Sequence, residues 1–234
     1  MKTIIYSIIF SLFSSSSIAL AIEDSNLNWT QMSNENNIVI FEGEISKDGV
    51  IPLKGTLIIN SSIEKVAAIL DDSSLRSSWL PAIQDLSVLS KSSPYKKVEF
   101  YQVEMPFIIS DRTFIMESRA SINSAKDEIF VTVKSVQDKR NLDSSNVRGN
   151  VQNSYIRIKK ISNNQTLVEG AFYTDPKGYV PNWVVTRFTR EFCRESLLKL
   201  KVLTEKKTIS KSTLKRYANL MNSYREQNIV ADSN

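Results

Sequence analysis

Histidine is absent from the 234-residue chain, and cysteine occurs once, as Cys193. These two gaps remove most routes to metal binding, to imidazole acid/base chemistry and to Ser-His or Cys-His nucleophilic catalysis. A single cysteine also excludes an intramolecular disulfide, so stability must come from a core, which a chain of this length can build. Glycine and proline are scarce, 6 of each, which excludes fibrous and low-complexity compositions. No G-x-S-x-G, P-loop, CxxC or zinc motif occurs, and no internal period repeats. The remainder is ordinary for folded protein, with 41% hydrophobic and 24% charged residues, and fits one large domain or two small ones.

The amino-terminal segment is patterned. Lys2, an apolar run from Ile4 to Phe13, a serine stretch and Ala19-Leu20-Ala21 follow the charged, apolar and small-residue order of a secretory signal peptide. Residues 1–21 are expected to form that peptide, with cleavage after Ala21 leaving 213 residues. A membrane anchor is the weaker alternative, because the apolar core holds about ten residues where a span needs roughly twenty. No cysteine follows that core, so no lipoprotein anchor is expected. The expected product is exported, either periplasmic or secreted.

No Pro/Gly/Ser linker divides the rest, so residues 22–210 read as one domain and 211–234 as a helical tail. Residues 25–36, with Leu27, Trp29 and Met32, read as a short amphipathic helix. Segments 38–45 and 51–59 read as a hairpin turned at Lys47-Asp48-Gly49. Ser61-Ser62-Ile63-Glu64 matches a capping box, with Ser61 bonding forward and Glu64 reaching back, before the stripe Ile63, Val66, Ala67 and Leu70. A second short helix is expected to end near Trp79-Leu80-Pro81.

From there the period changes. Segments 83–90, 95–105, 112–122, 128–137, 151–162 and 166–174 are rich in Val, Ile, Phe, Tyr and Thr and read as an antiparallel meander. Phe114, Met116, Ser118 and Ala120 alternate with Ile115, Glu117 and Arg119, which gives the sheet one apolar face and one wet face. The cover for the apolar face is a helix that starts after Pro181 and runs to about Lys206. Val185, Phe188, Thr189, Phe192, Ser196, Leu200 and Leu203 share one side of it, and Arg187, Arg190, Arg194 and Lys201 share the other.

Three motifs occur in order on this frame. They are Leu75-Arg76-Ser77-Ser78-Trp79, then Met105-Pro106-Phe107-Ile108-Ile109-Ser110-Asp111-Arg112-Thr113-Phe114, then Tyr173-Thr174-Asp175-Pro176-Lys177-Gly178-Tyr179-Val180-Pro181-Asn182-Trp183. Together they resemble successive landmarks of START domains, the lipid-transfer family related to steroidogenic acute regulatory protein, and the resemblance covers about residues 30–210. It implies an α+β helix-grip fold, a curved antiparallel β-sheet wrapped around a long C-terminal α-helix. It also implies an internal apolar tunnel for one lipid, with Phe114, Met116, Val131, Phe172, Trp183, Phe188 and Phe192 as lining candidates. Plain core packing is the alternative for each of them. One departure is visible: START domains usually follow the motif arginine with Asp, and Thr113 stands there. Arg112 is therefore open to pairing with Asp111 or Glu104, to pointing into the cavity, or to a satisfied place at a surface or sheet edge. Asp175-Pro176-Lys177-Gly178 reads as a turn into the helix.

The net charge of +5 is uneven. Residues 177–226 carry 12 Lys/Arg against 4 Asp/Glu, so the basic character belongs to the C-terminal helices. Arg187, Arg190, Arg194 and Lys201 are candidates for transient contact with an anionic membrane surface, the alternative being a solvated helix face. A nucleic-acid partner is not expected, no cofactor or metal is implied, and the expected state is a monomer. The leading reading is a non-catalytic lipid-binding or transfer protein, with a cyclase- or hydrolase-type enzyme in the same cavity as the alternative. Leu214, Tyr217, Ala218, Met221 and Tyr224 at helical spacing allow the tail to dock on its own domain or on a partner. Cys193, near the apolar side, reads as a buried inert thiol.

Overall fold

The computed structural model describes residues 28–46, 49–106, 109–123, 126–138 and 145–231. The expected signal peptide at 1–21, the Lys47-Asp48 half of the first turn and the Phe107-Ile108 pair lie outside the described residues. Strands β1 (Trp29–Glu35), β2 (Ile38–Gly43) and β3 (Leu53–Ile59) precede α1 (Ile63–Asp71), a 3-10 turn at Ser73–Leu75 and the single-turn α2 (Arg76–Trp79). Then come β4 (Ile83–Ser93), β5 (Lys96–Val103), β6 (Arg112–Asn123), β7 (Glu128–Ser135), the short β8 (Val147–Arg148) and β9 (Asn150–Val151), β10 (Ser154–Ser162), β11 (Gln165–Phe172) and the short β12 (Thr174–Asp175). Two helices follow, α3 (Asn182–Lys206) and α4 (Lys211–Ala231).

The long strands pair antiparallel in the order β1-β2-β3-β11-β10-β7-β6-β5-β4, and β8 adds parallel to β6. Three register shifts interrupt the β4–β5 pairing, between Ile83 and Asp85, Val88 and Ser90, and Lys91 and Ser93. Each inserts an extra residue that bends the strand and increases its twist, which curls this end of the sheet. The meander expected from sequence is present, and α3 covers its concave face, so the helix-grip fold is what the chain adopts.

Gly55 seats α3 on the sheet. A Cβ placed there would lie 2.5 Å from Leu197 Cδ1 and 2.6 Å from Cys193 Sγ, so only a glycine lets α3 come this close to β3. Cys193, Leu197, Leu200 and Thr204 are buried along that line. On the other side of the core, α1 buries Ile63, Val66 and Ile69 with Leu57, Ile59 and Val168 of the sheet.

Two expectations are corrected. Residues 29–35 form an edge strand and not a helix, because Asn36 and Asn37, with φ of 54° and 62°, make a two-residue turn that places Glu35 opposite Ile38. Paired positive φ values are the mark of a hairpin turn whose twist matches its strands. The cap of α1 is Ser62, whose hydroxyl accepts from the Lys65 N–H at 3.4 Å. Ser61 is buried one residue earlier, and its carbonyl accepts from the Thr166 hydroxyl at 2.8 Å.

Candidate functional site

Between the concave sheet face and the helices lies a cavity of about 540 Å3. Its inner wall follows strand parity: Phe114, Met116, Ser118, Ala120 and Ile122 of β6 face it in sequence steps of two. Val131 of β7 and Phe172 of β11 extend that wall, and Val185, Phe188, Thr189 and Phe192 of α3 close it from above. Phe188 and Phe192 have ring centroids 6.1 Å apart, and Phe172 meets Phe192 edge-on at 6.2 Å. Gly149 passes so close to the Phe114 ring that a Cβ there would overlap it.

Six of the seven lining candidates are in the wall, and Trp183 is not. It is 61% exposed, and Val184 beside it is buried instead. At 100° per residue Trp183 sits roughly 140° around α3 from Phe188, so the two cannot share a face. Tyr179, four residues earlier, is 95% exposed. Of the four basic candidates, Arg190 pairs with Glu42 at 3.4 Å, Arg194 with Glu191 at 2.6 Å and Lys201 with Glu205 at 2.6 Å. Only the exposed Arg187 remains from that set without such a neighbour among these pairs.

Arg112 is neither a surface nor a sheet-edge arginine. It is buried at the start of β6, where Nε donates to the Pro176 carbonyl at 3.1 Å, Nη2 to the Lys177 carbonyl at 3.0 Å, and Nη1 to the Ser110 carbonyl. The turn expected at 175–178 is there, with Lys177 at φ 54°, Gly178 at φ 66° and the Lys177 N–H donating to Asp175. Arg112 thus holds the turn that launches α3. Asp111 does not pair with it through a short bond; its carboxylate accepts from the Met105 N–H at 3.1 Å.

A polar cluster occupies one end of the cavity and was not anticipated. Glu99 is buried and accepts from Ser73 Oγ at 2.5 Å and Tyr101 Oη at 2.9 Å, with Lys97 Nζ at 3.3 Å and Arg76 Nη2 at 3.6 Å. Lys97 donates to the Asp71 carbonyl at 2.9 Å, and Tyr217 of α4 donates to the Asp71 carboxylate at 2.8 Å. Burial pushes the Glu99 carboxyl up, but Arg76, Lys97 and the two hydroxyls outweigh it and hold the group below its ordinary value. Burial and the Arg76 charge push Lys97 down. Burial, with the Asp71 charge, pushes the Tyr217 hydroxyl up to about 12. The signal for this cluster lay in β5: Tyr101 and Val103 face inward, and strand parity then requires Lys97 and Glu99 to do the same.

The tail docks on its own domain. Tyr217 is buried on α1, and Leu220 and Met221 line the cavity, so α4 is part of its wall. Cys193 is fully buried, and burial pushes its thiol up to about 12, as expected for an inert packing residue.

A curved antiparallel sheet gripping a long helix, with an apolar-walled cavity between them, defines the helix-grip class of protein. The START domain family model matches residues 17–197, and the chain belongs to that family. No curated protein sequence matches it. Solved structures share the fold. Human StAR-related lipid transfer protein 5 has 18% identity and a TM-score of 0.68, over 76% of this chain and 86% of that one. A STAR-related lipid transfer protein fragment from Xanthomonas axonopodis has 16% identity and the same TM-score, 0.68, over 76% of this chain and 99% of that one. Human STARD10 gives 16% and 0.68, over 76% and 73%.

Proposed function

We propose that this chain is an exported, non-catalytic lipid carrier that holds one apolar molecule between its sheet, α3 and α4. The observation that carries the reading is the cavity of about 540 Å3 with aromatic and aliphatic walls, within a START domain. That volume falls in the ~300–1,000 Å3 class of sites for a single small ligand. Each Å2 of apolar ligand surface moved out of water contributes about 25 cal/mol. The cavity carboxylate favours a carrier over an enzyme. Glu99 is stabilised as the anion by four partners, whereas a general acid or base needs a value raised towards neutrality. Export is supported by the Lys2, Ile4 to Phe13 and Ala19-Leu20-Ala21 order of the leader.

Exchange with an anionic membrane fits the region around the start of α3, where Tyr179, Trp183 and Arg187 are exposed beside the cavity's helical cover. Exposed aromatics with a nearby cation suit a membrane–water interface, and the protein would act there as a monomer without nucleic acid. The test is organic extraction of the purified chain with mass spectrometry of the extract, followed by transfer of a fluorescent lipid between vesicles. A reproducible stoichiometric lipid and transfer that accelerates with acidic lipid in the vesicles are expected. Empty extracts together with no binding across a lipid panel would remove the carrier reading.

A further inference from the structure

The cavity has two ends. Met105 and Arg112 line it near the turn that launches α3, and Ser93 and Lys97 line it at the other end of β5. Lys97 and Val103 stand six positions apart on that strand, which at about 3.4 Å per residue sets the two ends roughly 20 Å apart. A second cavity, of about 440 Å3, adjoins the Lys97 end and is lined by Thr208, Ile209 and Ser210 of the link between α3 and α4 and by Thr213 of α4. Asp71, Lys91, Lys97, Arg216 and Tyr217 line both cavities and so stand between them. This partition is polar, and the Tyr217 hydroxyl, donating to the Asp71 carboxylate at 2.8 Å, closes it from the α4 side.

The helix that completes the partition is seated far less deeply than α3. Val184, Cys193, Ser196, Leu197, Leu200 and Thr204 of α3 are buried, and Arg190 pairs with Glu42 of β2. Among the described side chains of α4, at 211–223, Tyr217 alone is buried, and Leu220 and Met221 are half-buried against the cavity. The link is bounded by a cap on each side: the Lys207 N–H donates to the Leu203 carbonyl at 2.8 Å, and Ser210 Oγ accepts from the Thr213 N–H at 3.1 Å. α4 can therefore turn about 207–210 with both helices intact, and an element with so few buried side chains opens at a fraction of the cost of global unfolding. Such a turn carries Arg216 and Tyr217 out of the partition and takes Leu220 and Met221 off the chamber, which clears a path that an apolar molecule could not otherwise take past charged groups. The START match ends at residue 197, so this helix lies beyond it. We propose, building on the apolar-cargo reading, that α4 is a hinged lid latched by the Tyr217–Asp71 bond, and that its swing opens a second door through which cargo exchanges with the surrounding water while α3 stays on the sheet. That door lies at the end of the cavity away from Tyr179 and Trp183, so it serves exchange without membrane contact.

The test follows release of a neutral fluorescent probe, N-phenyl-1-naphthylamine, from the loaded full chain into cyclodextrin, in buffer without vesicles. In Asp71→Cys/Tyr217→Cys a short bifunctional maleimide, added after loading, ties α4 to α1, and the fully buried Cys193 does not compete for it. The control is the same variant treated with a monofunctional maleimide, so both arms share one fold. Release is expected to be about tenfold slower or more in the tied chain. Tyr217→Phe keeps the ring and removes the latch hydroxyl, and its release should be about tenfold faster than the parent's, the scale of one hydrogen bond to a charged group. Alkylation of Cys193 in Tyr217→Phe should stay at the parent rate, because α3 remains on Gly55. Equal release with and without the tie, release unchanged in Tyr217→Phe, or faster release accompanied by faster Cys193 alkylation overturns the α4 door while the apolar cavity stands. Failure of the parent chain to bind the probe overturns the apolar-cargo reading itself.

Discussion

Gly55 shows how much of the architecture can rest on one missing side chain. Its Cα lies under α3 where Leu197 and Cys193 come down, and both of those residues are buried. In Gly55→Ala the new methyl meets atoms at 2.5 and 2.6 Å, so α3 must lift or β3 must yield. Overpacking of this kind costs about 1–3 kcal/mol, which should appear as a lower urea midpoint with an unchanged slope. A midpoint equal to that of the parent chain would mean that α3 is not seated on β3 as described. Other residue-scale features divide by whether period alone reveals them. The inward set Phe114, Met116, Val131 and Phe172 follows from alternation, and Phe188 with Phe192 from helical spacing. Trp183 shows the limit, since its aromatic character drew it into the lining set although its angle around α3 turns it to solvent. The Glu99 cluster went unread because its members come from five elements, α1, the 3-10 turn, α2, β5 and α4, which only the tertiary structure brings together.

Among the elements, α4 departs furthest from what the family accounts for. The family match ends at residue 197, and α4 begins at Lys211. Yet Tyr217 bonds to Asp71 on α1, and Leu220 and Met221 help to wall the cavity. Deleting residues 209–234 is expected to lower Tm by several degrees and to weaken cargo binding by about tenfold, as two apolar wall residues are lost. Calorimetry and probe displacement on the truncated chain would check this, and lost stability with intact affinity would reduce α4 to a packing role. The sequence made α3 and most of the meander legible because long segments carry their period many times over. It made β1 illegible for the opposite reason. Three apolar residues in a short span fit a helix, and the decisive signal was the Asn36-Asn37 turn that ties the segment to β2. The cap of α1 slipped by one residue because Ser61 and Ser62 offer equivalent hydroxyls, and only burial against Thr166 separates them.

At the scale of the whole molecule, the basic excess of the C-terminal third is partly neutralised where it folds. Glu42, Glu191 and Glu205 meet Arg190, Arg194 and Lys201, which leaves Arg187 as the exposed one of those four α3 cations outside these pairs. Among the described residues the sheet ends at β1 and β4, and β4 is broken by bulges and carries Lys91, which are devices that discourage edge-to-edge association. The interior is thus an apolar chamber covered on one side by α3, and lifting of that helix from the sheet would widen it. The chain carries its own reporter of that movement. Its sole thiol, Cys193, is fully buried under α3 and pushed up to about 12, so an alkylating reagent can reach a reactive thiolate only when the helix lifts from Gly55. Alkylation of the untouched native chain should therefore be far slower than that of a free thiol, and bound cargo should slow it further. Labelling at the free-thiol rate would mean that the helix does not rest on the sheet, so one stopwatch measurement reads how often this container opens.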